Sequence, residues 1–135
     1  MKICELVDCV FVDVGNAADM IWIVFVNKKG VEINLHLQCR FRICKLGEII
    51  FTNMDVYSDN FDEYKVKIAN VLMESKITYI SNNKFNDLVI EFNDGFKIET
   101  FNVYNSHNKG KELWRIFAKQ EDKHLVARSN GLFEE

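Results

Sequence analysis

The chain has 135 residues, of which 48% are hydrophobic and 27% charged, and carries a formal net charge of −3. This is one domain's worth of ordinary globular sequence, long enough to bury a core without metal or disulfide support. The acidic balance argues against a general binder of phosphate backbones, and the longest apolar run, Met20 to Val26, is far too short to cross a bilayer. With no basic leader ahead of an apolar segment, a cytoplasmic protein is expected.

Val10 to Val14 reads as a short strand, interrupted by the small and turn-forming residues Gly15 to Asp19. Met20 to Val26 is apolar at consecutive positions, which predicts a central strand covered on both faces. Asn27-Lys28-Lys29-Gly30 fits a short hairpin loop with a bulge, its glycine free to take positive φ. From Val31 to Ile43 the odd positions are apolar (Val31, Ile33, Leu35, Leu37, Cys39, Phe41, Ile43) and the even ones polar. Side chains on a strand alternate with period two, so this predicts one long strand with a buried and an open face. Lys45-Leu46-Gly47-Glu48 turns the chain into a fourth strand over Ile49 to Thr52, completing a meander.

After Tyr57 the period changes. Phe61, Tyr64, Ile68, Val71 and Leu72 recur at three- and four-residue intervals, predicting a helix over 61–74 with Asn60 as N-cap and Glu63 as its reciprocal acid. Strands return over Ile77 to Ile80, Leu88 to Phe92 and Phe96 to Phe101. The last two flank Asn93-Asp94-Gly95, where Asp-Gly predicts a type I′ turn. Asn105 to Lys111 is a polar loop, and Leu113 to Ala118 with His124 to Arg128 make a closing pair. Trp22 and Trp114 are assigned to the core. The expected fold class is α+β: one domain over 1–135, mainly a twisted antiparallel sheet of about seven or eight strands with one helix packed on it.

The even positions of the long strand would place His36, Gln38, Arg40 and Arg42 together on one side of the sheet. Two guanidiniums so placed could grip a carboxylate or phosphate. Asp55, Asp59, Asp62 and Glu63 gather at the helix entry, where capping and the helix dipole account for acids. Beside Tyr57 and Phe61 they also make an acidic-aromatic patch suited to a basic partner. The candidate ligand- or partner-binding set is therefore His36, Gln38, Arg40, Arg42, Asp55 and Tyr57.

No catalytic residue stands out, because G-x-S-x-G, P-loop and G-x-G-x-x-G motifs are absent. Cys4, Cys9, Cys39 and Cys44 repeat a C-x4-C spacing. Cys39 and Cys44 are an odd number apart and face opposite sides of a continuous strand, so free thiols are expected rather than a zinc site. The three histidines lack metal-ligand spacing. Neither metal nor cofactor is expected.

Gly15-Asn16-Ala17-Ala18-Asp19-Met20, Leu35 to Ile43 and Asp55-Val56-Tyr57 resemble segments of a group of small uncharacterised bacterial proteins of similar length, a domain of unknown function. Trp114-Arg115-Ile116-Phe117 and His124-Leu125-Val126 are similar to that group's closing strands. The group implies Arg where this chain has Asn16, so no shared anion site is carried to that turn. No catalytic residue is inherited either. In general character such small acidic proteins are similar to immunity proteins that neutralise toxins. The functional expectation is a non-catalytic interaction module whose partner is another protein, with homodimerisation as one form. The alternative is a small-ligand or enzymatic site around His36 and Arg40. Neither membrane nor nucleic acid is an expected partner, since the polar strand face carries no stacking rings.

Overall fold

The computed structural model describes residues 1–135. The chain forms eleven strands and one α-helix: β1 (Val10–Ala17), β2 (Met20–Val26), β3 (Glu32–Leu37), β4 (Arg40–Lys45), β5 (Glu48–Thr52), α1 (Phe61–Leu72), β6 (Ile77–Asn82), β7 (Leu88–Phe92), β8 (Phe96–Phe101), β9 (Glu112–Ala118), β10 (Leu125–Arg128) and β11 (Gly131–Glu134). All strand pairs are antiparallel. They make two sheets, ordered β1-β2-β3-β9-β10-β11 and β5-β4-β8-β7-β6. The α+β class and single core hold, while the expected single sheet is replaced by two.

The replacement happens inside the alternating segment. An unbroken strand from Val31 to Ile43 would be roughly 40 Å long, well beyond an ordinary strand. The chain instead leaves the ladder at Gln38-Cys39, so β3 pairs in the first sheet and β4 in the second. Two residues is an even step, so the alternation keeps its phase across the break. Leu35 and Leu37 before it, and Phe41 and Ile43 after it, are all buried in one cluster between the sheets. The apolar pattern thus reports a shared core, not a shared sheet. At the corner where the first strand begins, Phe11 N–H donates to Ser75 O (2.8 Å) and Ile77 N–H to Cys9 O (2.9 Å), joining β1 to the start of β6.

Helix α1 lies across the side of the core between the edge strands β1 and β5. Phe61, Ile68 and Leu72 are buried, and the Phe61 and Tyr64 rings meet Phe51 of β5 at 5.9 and 6.3 Å. Lys65 Nζ donates to Asn16 Oδ1 of β1 at 3.0 Å. The expected cap at Asn60 is corrected, since its side chain makes no capping bond. The reciprocal capping box belongs to Thr52 and Asp55, at the entry of a 3₁₀ turn over Asn53–Tyr57.

Turn chemistry differs at two hairpins. Asn27 Oδ1 accepts from the N–H groups of Lys29 and Val31, and Gly30 takes φ 78°, as expected for that loop. The type I′ signature, positive φ at both central residues, falls on Leu46 (50°) and Gly47 (84°). At Asn93-Asp94-Gly95 only the glycine has positive φ, giving a three-residue loop. That loop is tied to the end of the helix: the Asp94 carboxylate accepts from Ser75 Oγ, and Asn93 Oδ1 from Lys76 N–H at 3.0 Å.

Strand β1 also runs on to Ala17 rather than ending at Val14. Gly15 lies opposite Trp22, and a Cβ there would sit 2.0 Å from the indole. Trp22 therefore covers a glycine on the outer face of the first sheet and is half-buried, a correction to its core assignment. Trp114 is fully buried, and its indole N–H donates to Asn86 O at 2.8 Å. The 3₁₀ turn at Ile3–Leu6 and strand β11 carry no alternation and were not expected. No helix is long and apolar enough to cross a membrane.

Candidate binding cleft

The break at Gln38-Cys39 scatters part of the predicted site and gathers the rest. His36 stays on β3, on the outer face of the first sheet. Arg42 goes to the second sheet, where its guanidinium pairs with Glu99 at 3.1 Å and lies 4.8 Å from the Phe101 ring centroid. The Asp55 carboxylate is used internally, accepting the Thr52 N–H at 2.8 Å. The single polar face of His36, Gln38, Arg40 and Arg42 does not exist, because the strand that would carry it changes sheets.

Gln38, Arg40 and Tyr57 do converge. They line an open cleft of about 360 Å³ with Asp19, Cys39, Asn53, Val103 and Tyr104. Four pieces of chain meet there: the β1–β2 turn, the β3–β4 break, the 3₁₀ turn after β5, and the segment after β8. The last three are held by hydrogen bonds. Gln38 N–H donates to Leu113 O at 2.8 Å, and its side-chain amide to Glu112. Asn53 Oδ1 accepts from Phe41 N–H at 3.2 Å, seating the 3₁₀ turn on β4. Asn102 receives at its side chain the N–H of Tyr104 (3.0 Å) and donates its own N–H to Asp87 (2.7 Å).

The cleft's surface is aromatic and carries one charge of each sign, Arg40 and Asp19. Tyr57 is 70% exposed and Val103 55%, with Tyr104 also open to solvent. Arg40 is exposed and belongs to none of the chain's ion pairs. The one thiol in the cleft, Cys39, is pushed up to about 12 by burial, so at neutral pH it is protonated and a poor nucleophile. Sequence reasoning missed Asp19, Asn53, Val103 and Tyr104. The one signal available was the apolar pair Val103-Tyr104 standing at the head of an otherwise polar loop.

His36 joins a separate cluster. Its ring meets Phe117 edge-on (centroids 4.9 Å apart), and His124 stacks on Phe117 at 4.2 Å. Arg115, opposite His36 in the ladder, donates to His124 Nδ1 at 2.8 Å and to both carboxylate oxygens of Glu112. Burial, with the Arg115 charge second, holds His36 below its ordinary value. A histidine whose folded pKa is depressed stabilises the fold above its unfolded pKa, and that stability is lost as pH falls through the folded value. Urea midpoints should therefore drop between about pH 7.5 and about pH 5.5. The drop should be smaller in His36→Gln, and equal slopes for both proteins would contradict the argument.

All four cysteines are free, and no three His, Cys, Asp or Glu side chains converge as a metal-binding group. No protein-family model, curated protein or solved structure matches the chain.

Proposed function

We propose that the chain is a non-catalytic protein-interaction module, immunity-like in character, that holds its partner at the cleft around Arg40. The observation that carries this is the convergence of an unpaired arginine with Tyr57, Tyr104 and Val103 on one open surface. Tyrosine and arginine are enriched among the side chains that anchor protein interfaces, tyrosine because it brings a large contact area with few rotors and arginine because its planar fork makes several hydrogen bonds at once. The Arg40 guanidinium forms no ion pair within the chain, so a partner carboxylate can complete it with charge-assisted hydrogen bonds. Gln38, Asn53 and Asp19 supply polar contacts around that anchor.

A photo-crosslinking amino acid at Tyr57, introduced in the producing cells, tests the proposal. One discrete protein adduct is expected, absent when the same group replaces Lys119 on the first sheet. Its yield should fall at least tenfold in Arg40→Ala, in line with a hot-spot cost of about 2 kcal/mol. Arg40 and Tyr57 are exposed, so neither variant should change unfolding free energy by more than about 0.5 kcal/mol. Adducts that match at the two positions, or that ignore Arg40→Ala, would remove the cleft as a docking site.

The cleft volume also supports a second reading, a small carboxylate or phosphate ligand seated on Arg40. A cavity of about 360 Å³ falls within the range of small-molecule sites. Native mass spectrometry of protein from its own cells separates the two. A small adduct present in the wild type and missing in Arg40→Ala favours the ligand.

A further inference from the structure

On the reading of the cleft as a protein-docking site, we infer that the partner segment entering it carries both a basic and an acidic side chain, the base for Asp19 and the acid for Arg40. Eight residues line the cleft, and Asp19 and Arg40 are the only charged ones among them. Both are exposed, and neither forms an ion pair, with the other or with a third residue. That isolation sets Arg40 apart. The chain's other arginines, Arg42, Arg115 and Arg128, are all paired with glutamates.

Asp19 is placed by the β1–β2 turn. Ala18 just before it takes φ 55°, a left-handed value that a residue with a Cβ adopts at a cost, and Asn16 Nδ2 donates to Ala18 O at 3.2 Å. Lys65 of α1 reaches the same turn but spends its Nζ on Asn16 Oδ1 (3.0 Å) and Asp62 (3.2 Å). The Asp19 charge is thus left open, like that of Arg40.

A carboxylate alone is a poor occupant. It would satisfy Arg40 while bringing a like charge into a cleft that already holds Asp19, and like charges juxtaposed across an interface cost affinity. A base alone fails at Arg40 for the same reason. A segment bearing both signs matches the cleft and is oriented by it, base toward the β1–β2 turn and acid toward the β3–β4 break. Tyr57, Tyr104 and Val103 offer apolar surface to the stems of such long side chains. Two copies of this chain meeting cleft to cleft would set hollow against hollow, so the occupant is a projecting segment of a different protein.

The crosslinking group at Tyr57, combined with charge variants, tests this. Asp19→Asn should lower the adduct yield roughly 3-fold and Asp19→Lys about tenfold or more. Both should keep the wild-type urea midpoint, because Asp19 is an exposed turn residue. Alanine scanning of the crosslinked partner segment should single out one lysine or arginine and one aspartate or glutamate. Reversing that base to glutamate in the purified partner should weaken binding by about tenfold, and combining it with Asp19→Lys should restore the affinity to within roughly 3-fold of wild type. A yield that falls in Arg40→Ala but ignores Asp19→Lys overturns the inference and leaves the docking site standing. A scan that finds only acids, or no recovery in the doubly reversed pair, overturns it in the same way. The absence of any discrete adduct removes the docking site and the inference together. An adduct of twice the 15.8 kDa chain mass assigns the cleft to a second copy and overturns the inference. So does a small zwitterion seen by native mass spectrometry on the wild type and lost in both Arg40→Ala and Asp19→Asn.

Discussion

Truncating Trp114 to alanine should lower the unfolding free energy by about 3–5 kcal/mol. The indole is fully buried on β9, in the core cluster between the two sheets. It also makes a specific bond, donating its N–H to Asn86 O at 2.8 Å. Asn86 lies in the β6–β7 connection of the other sheet with φ 63°, the left-handed region that asparagine tolerates better than most residues. Its side chain donates to Arg128 O of β10 at 3.1 Å. Trp114 and Asn86 together therefore fasten a loop of the second sheet to two strands of the first. Trp114→Phe separates the two contributions. It keeps most of the packing but leaves the Asn86 carbonyl without its donor, at a cost of about 1–3 kcal/mol. Urea unfolding followed by circular dichroism should rank wild type above Trp114→Phe and Trp114→Phe above Trp114→Ala. A cost below about 1 kcal/mol for Trp114→Ala would mean that the indole does not hold the sheets together.

The same core shows why so much of the fold was legible in sequence. Burial follows side-chain alternation, and alternation is local. The β7 and β8 segments, Leu88–Phe92 and Phe96–Phe101, therefore appear with the expected limits. The helix was legible because Phe61, Tyr64, Ile68 and Leu72 keep one face inward. Sheet membership is not local. Nothing in Val31 to Ile43 distinguishes one strand in one sheet from two strands in two, because an even-numbered break leaves the period intact. Turn types were misassigned for a related reason. Leu46 takes positive φ in a two-residue turn, and leucine gives no warning of it. Asp94 looked like the stronger signal but spends its carboxylate on Ser75, across the helix–strand junction.

The cleft was half legible. Gln38, Arg40 and Tyr57 were singled out as polar or aromatic residues without a core role, and they do share a surface. His36 and Arg42 share their parity but not their place, because two residues of connection carry Arg42 into the other sheet. Asp55 was read both as a capping acid and as part of an acidic patch; it does cap, but at the 3₁₀ turn ahead of the helix rather than at the helix entry. Asp19, Asn53 and Tyr104 reach the cleft from turns far apart in the chain, a convergence that no local pattern encodes.

Replacing Phe41 with alanine should cost about 3–5 kcal/mol, while Arg40→Ala, one residue earlier on the same strand, should cost no more than about 0.5 kcal/mol. Phe41 is 3% exposed, whereas Arg40 is open to solvent and pairs with nothing in the chain. Phe41 begins an aromatic run through the core: its ring lies 6.1 Å from Phe51, which in turn meets Phe61 and Tyr64 of the helix. Such ring pairs contribute about 0.5–1.5 kcal/mol beyond the area they bury. The loss should therefore extend past the second sheet, and backbone hydrogen exchange should quicken in α1 as well as in β4 and β5. Leu37 tests the other side of the break. It is 1% exposed in the first sheet, and Leu37→Ala should cost about 2–5 kcal/mol with little change in helix exchange. Large costs at both 37 and 41, flanking a neutral 40, would establish that one apolar parity runs unbroken through a chain segment that changes sheets. If Phe41→Ala proves as mild as Arg40→Ala, the second half of that segment does not face the core.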